Sequence, residues 1–128
     1  MPQAQTVRES EKGSLNFAAD GTVTSDYIKL DQRKAMAHFL VNIPSGFAGV
    51  LFPVMSDEPD GVYSVAYDSD GNLAYADPTS KIADSWYSMK SECMFPAHYI
   101  KFASKTSTAG TAGTAQSAAR VIKFMGIS

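Results

Sequence analysis

The sequence predicts an all-β fold, an antiparallel β-sandwich of jelly-roll-like type with an extended N-terminal arm. Three observations carry this. Residues 98–104 and 119–125 are near-copies of one strand: Ile100 and Phe102 alternate with Tyr99 and Lys101, and Ile122 and Phe124 alternate around Lys123. Short alternating segments recur along the rest of the chain between turn residues. No stretch carries an amphipathic helical pattern long enough to anchor a mixed fold.

In order, residues 1–13 are polar and aperiodic, which predicts an extended arm ahead of a single domain over 14–128. Residues 14–18 form a first strand with Leu15 and Phe17 inward, closed by the turn pair Asp20 and Gly21. Residues 26–30 alternate with Ile28 and Leu30 inward. Residues 35–43 put Ala37, Phe39, Val41 and Ile43 on one face and Met36, His38, Leu40 and Asn42 on the other, an apolar balance that predicts a central strand. Residues 48–55 follow the turn at Pro44, with Val50, Phe52 and Val54 on the core side; Pro53 lacks a donor and places this strand at an edge or bulge.

Residues 62–67 and 73–76 pair as a hairpin around Asp68, Gly71 and Asn72. In residues 81–90 the spacing of Ile82, Trp86 and Met89 allows a helical turn, but a strand over 86–90 suits the surrounding pattern better. Residues 105–118 hold no large apolar side chain and so form a surface loop that cannot fill the core. Loops of this length in a compact domain are usually functional or disordered. Were the flanking strands paired with Phe102 opposite Ile122, Lys101 would face Lys123 and repel it, so the register is shifted, the strands are not neighbours, or acidic groups lie near.

The 128 residues suffice for one core, and 45% hydrophobic content with seven Phe, six Tyr and one Trp suits a packed interior. A net charge of -2 without a Lys/Arg cluster argues against nucleic-acid binding. Cys93 is the single cysteine and forms no internal disulfide, which predicts synthesis in a reducing cytoplasm. The first residues lack the apolar segment of a signal peptide, and no apolar run is long enough to span a bilayer, so neither export by that route nor membrane embedding is expected.

Chemistry-bearing patterns are weak. The turn from Asp68 to Asn72 has its glycine in fourth place and Thr79 in twelfth, where a calcium loop needs glycine sixth and glutamate twelfth, so a plain hairpin turn is expected. Asp57, Glu58 and Asp60 read as a solvated loop. His38 and His98 stand in no ligand spacing, and Glu92 beside Cys93 disfavours a thiolate. No catalytic residue, cofactor site or metal site is expected, and the chain is predicted not to be an enzyme. Trp86 and Tyr87, with the face of Tyr63, Val65 and Tyr67, form either core and interface or an aromatic platform for sugars.

Val54 to Asp57 with Asp60 to Tyr63, the Asp68 to Gly71 turn, the run Pro96 to Ser104, the Thr/Ala-rich loop and the closing Ala119 to Phe124 together resemble the small β-sandwich capsid decoration (cement) and minor virion structural proteins of tailed bacteriophages. Tyr63 occupies the region where such proteins commonly carry a tryptophan, and Glu58 and Pro59 extend the acidic loop before it. The resemblance implies a non-enzymatic protein on the capsid surface of a virion, made in the host cytoplasm. It would bind between major capsid protein subunits and stabilise the shell, often as a homo-oligomer, with a trimer favoured. Residues 1–13 and 105–118 are then the reaching elements, with Val7, Arg8, Lys105, Thr108, Thr111 and Thr114 as candidate partner-binding residues. The alternative is a carbohydrate- or host-surface-binding module on a tail or fibre.

Overall fold

A computed structural model describes residues 9–18, 21–29, 38–68, 70–78, 84–89 and 99–127, and over these the chain forms strands and no helix. The strands are β1 (Glu9–Phe17), β2 (Thr24–Lys29), β3 (His38–Ile43), β4 (Val50–Ser56), β5 (Ser64–Val65), β6 (Ser85–Met89), β7 (Tyr99–Lys105) and β8 (Arg120–Ile127). They build two antiparallel four-stranded sheets, ordered β1-β8-β3-β6 and β2-β7-β4-β5. Of consecutive strands only β4 and β5 share a sheet; every other connection crosses the sandwich, which is the jelly-roll arrangement. The all-β sandwich expected from the strand patterns is therefore the fold.

The near-copy strands β7 and β8 lie inside different sheets and face each other. Ile100, Phe102, Ile122 and Phe124 are all buried, and the Phe102 ring meets Phe124 edge-on at a centroid distance of 6.4 Å. Phe39 stacks on Phe124 at 5.7 Å, and Phe17, Val41, Ile43 and Leu51 belong to the same core cluster. Because β7 and β8 are not paired, Lys101 and Lys123 never confront each other. β3 is flanked on both sides, by β8 and β6, as its two-sided apolar pattern predicts. The preferred strand in residues 86–90 is β6, entered through Asp84, whose left-handed backbone (φ 56°) is one that Asp tolerates.

Four expectations need correction. The stretch read as an arm, 1–13, is too long, because β1 already begins at Glu9 and pairs along β8. Its alternation is hidden at Gly13, which lies opposite Phe124: a Cβ there would stand 3.0 Å from the Phe124 ring, which itself fills the space. In β4, Val50, Phe52 and Val54 are buried, but Leu51 and Met55 are the residues that join the central cluster. Pro53 and Met55 lie opposite Phe102 and Ile100, so the three residues assigned inward point to the outer face, where Phe52 is roofed by Tyr75 and by the chain at Gly110. Thirdly, the 105–118 loop does send one side chain inside, the fully buried Gln116.

The edge or bulge that Pro53 suggested for β4 is also not found: β4 lies between β7 and β5, in unshifted register with β7, and the missing donor is tolerated locally. Leu51 exchanges both backbone hydrogen bonds with Ala76 (2.9 and 2.8 Å), so two residues on, the Pro53 nitrogen faces the same flank. There β5 has not yet begun, since its pairing starts at Val54. The predicted 62–67/73–76 hairpin exists in reduced form, with the bridge of Tyr67 to Leu73 and a hydrogen bond from the Ala74 N–H to the Ala66 carbonyl (2.9 Å). Leu30, residues 35–37 and the neighbourhood of Cys93 and His98 lie outside the described residues.

Candidate functional site

The low-complexity segment is a folded hairpin continuing β7. Lys105 bridges Gly113, the Thr106 N–H donates to the Ala112 carbonyl (2.9 Å), and the Thr114 N–H donates to the Ser104 carbonyl (3.0 Å). Ser104 returns a bond from Oγ to the Thr114 carbonyl at 2.6 Å. The returning chain then pairs with the residues just ahead of β2: the Gln116 N–H donates to the Thr22 carbonyl, and the Gly21 N–H donates to the Gln116 carbonyl, both at 2.9 Å.

Gln116 fixes this assembly from within. Its Oε1 accepts from the Ala48 N–H and its Nε2 donates to the Ala48 carbonyl, each at 2.9 Å. A buried amide that answers both backbone groups of one residue leaves neither unpaired. Next to it Gly49, at φ +88°, adopts a backbone that disfavours any side chain, and a Cβ there would stand 2.4 Å from the Lys105 carbonyl oxygen. Sequence reasoning missed Gln116, although it is the one long side chain between Thr106 and Ala118, and that oddity was the available signal.

The four candidate contact residues on this hairpin divide by position. Lys105 and Thr114 are half-buried at its base, where their backbones hold the ladder, while Thr108 and Thr111 are exposed near its tip. Val7 and Arg8 lie outside the described residues.

A second surface forms on the outer face of the β2-β7-β4-β5 sheet. Tyr27 lies opposite Lys101 and Lys29 opposite Tyr99, so all four project away from the core-facing Ile28 and Ile100. Tyr27 packs edge-on against Tyr99 at 5.7 Å, and Lys101 Nζ stands 4.5 Å from the centre of the Tyr63 ring, a cation–π contact. The Tyr63 hydroxyl donates to the Pro59 carbonyl at 2.9 Å, tying the acidic loop to this face. Burial first, then the charges of Tyr27, Asp60 and Tyr99, hold the Tyr63 phenol above its ordinary value. Only the cross-strand register brings these rings together, which is why the chain order did not reveal them.

The aromatic platform considered from the sequence is dispersed. Trp86 lies on the outer face of the other sheet, level with Asn42 and Lys123, whereas Tyr87 packs against the core. Tyr67 is exposed on the hairpin. At its turn, Asp68 Oδ1 accepts from the N–H groups of Asp70 (3.0 Å) and Asn72 (2.9 Å), the geometry of a self-closed Asx turn. Asp57, Glu58 and Asp60 are exposed, with the Glu58 N–H capped by Ser56 Oγ at 3.2 Å. Among the described residues no three His, Cys, Asp or Glu side chains gather as metal ligands. Comparison with known protein families, with characterised proteins and with solved structures gives no match to this chain.

Proposed function

We propose that this chain is a non-enzymatic structural protein of a tailed-phage virion, a capsid decoration protein that binds between major capsid protein subunits and stabilises the shell as a homo-oligomer, a trimer being the favoured form. The observation that carries the reading is the clamped hairpin: a segment of Ala, Gly, Ser and Thr is held in one shape by Gln116 and offers Thr108 and Thr111 outward. A contact loop already ordered before binding loses little conformational freedom on docking, and small side chains let a partner's backbone approach closely. The jelly roll is an architecture that serves in viral capsid and lectin domains, which agrees with the reading at the level of fold alone. Tyr27, Tyr63 and Tyr99 supply a second surface of the residue type enriched at protein interfaces.

The test is co-sedimentation of the purified chain with shells of the major capsid protein encoded beside it. The chain is expected to pellet with expanded shells. Thr108→Asp combined with Thr111→Asp, or removal of residues 1–8, should release it to the supernatant. Failure of the unaltered chain to pellet, or full retention of both variants, contradicts the proposal. Light scattering on the isolated chain reports the oligomer, and a monomer at all concentrations removes the trimer.

A further inference from the structure

Between the 66–76 hairpin and the edge strand β6 lies a cleft of about 370 Å³, lined by Asp68, Asn72, Leu73, Tyr75, Ser88 and Met89. We propose that this cleft binds a neutral pyranose sugar.

Size places it at the small end of the range for small-molecule sites, about 300–1,000 Å³. The lining mixes two chemistries: Leu73, Tyr75 and Met89 are apolar and Asn72 and Ser88 are an amide and a hydroxyl, while the buried Asp68 spends its carboxylate on the turn. A purely apolar ligand would strip water from the polar groups without replacing its hydrogen bonds. A pyranose presents C–H faces to a ring and hydroxyl edges to polar groups, and so satisfies both halves. The six include one acidic and no basic side chain, which disfavours an acidic sugar.

The walls are held before any ligand arrives. Tyr75 is 38% exposed, yet its ring leans on Phe52 at a centroid distance of 5.5 Å, so one face is braced from behind. Asp68, through its bonds to the Asp70 and Asn72 N–H groups, fixes the turn that carries Asn72 to the rim. Buried Met89 and exposed Ser88 come from β6, whose register with β3 is set from Phe39 to Ile43. A cleft with rigid walls keeps most of the affinity that a loose one would lose to ordering.

The site is distinct from the Thr108/Thr111 hairpin tip, so the sugar and shell-binding readings stand or fall separately. The experiment titrates the isotope-labelled full chain with the methyl glycosides of glucose, galactose, mannose and N-acetylglucosamine, and with glucuronic acid, following amide resonances. At least one neutral glycoside is expected to shift the signals of residues 68–75 and 88–89 with millimolar affinity. Tyr75→Ala and Ser88→Ala should each weaken it about tenfold, and Thr108→Ala should leave it unchanged. Since Tyr75→Ala also removes the brace on Phe52, the exposed Ser88 provides the variant that keeps the fold. The proposal is overturned if no neutral glycoside moves those resonances, if only glucuronic acid does, or if Ser88→Ala binds as tightly as the unaltered chain.

Discussion

Gln116 grips both backbone groups of Ala48, accepting from its N–H and donating to its carbonyl at 2.9 Å, across 68 positions of sequence. Truncation to alanine would leave the part-buried N–H and carbonyl of Ala48 without this partner and a void where the buried amide stood. Gln116→Ala is expected to lower unfolding free energy by about 2–5 kcal/mol, measured by urea denaturation, and to open the 105–118 hairpin to proteases. A change within experimental error, with unaltered proteolysis, would show that the clamp is ornamental.

Backbone geometry makes two glycines differ. Gly49 and Gly71 both have positive φ, +88° and +81°, but a Cβ at Gly49 collides with Lys105 and Thr114 whereas nothing lies within 4 Å of one at Gly71. Gly71→Ala should therefore cost only about 1–2 kcal/mol of backbone strain, and Gly49→Ala clearly more than that. Equal melting temperatures for the two variants would contradict this.

At the centre, Phe102→Ala and Phe124→Ala should each destabilise the fold by about 3–5 kcal/mol. Because the two rings touch at 6.4 Å, their effects should fail to add by about 0.5–1.5 kcal/mol in a double-mutant cycle. Strict additivity would mean that the facing strands are not coupled through these rings.

The Tyr63 phenol gives a pH signature. It ionises near 10.0 in an unfolded chain and higher in the folded one. Between those values the unfolded chain releases its proton first, the folded state binds more protons, and stability falls as pH rises. The contribution is complete below pH 10.0 and is lost on passing upward through the raised value. The phenolate absorbance that Tyr63→Phe removes should belong to a group titrating above pH 10.0, and that variant should lose melting temperature less steeply above pH 10.0 than the unaltered chain. Parallel curves would refute the assignment.

What was legible in the sequence was local. Alternation in 98–104 and 119–125 identified two buried strands because Ile100, Phe102, Ile122 and Phe124 leave a period of two that survives whatever the partner. Alternation could not choose a side in β4, where Val50 to Val54 are all buried, one face by the opposite sheet and the other by Tyr75 and the hairpin at Gly110. It also lapsed at Gly13, whose place is filled by a ring from another strand. The surfaces available for binding were less visible still. Tyr27, Tyr99 and Lys101 each looked like an ordinary outward position, and only pairing of β2 with β7 makes them a patch. Tyr75 and Ser88 belong to different sheets' margins and meet through topology alone.

The interior place of β8, between β1 and β3, has a consequence for biosynthesis. It follows every other described strand in the chain, yet β1 has no hydrogen-bonded route into the sheet without it, because β3 also pairs with β6 whereas β1 pairs with β8. Until Phe124 emerges, Phe39 lacks the ring that stacks on it and β1 lacks its partner strand, so a nascent chain stalled short of that point must be shielded from its neighbours in the crowded cell. The β1-β8-β3-β6 sheet can therefore close only once residues 120–127 have been made.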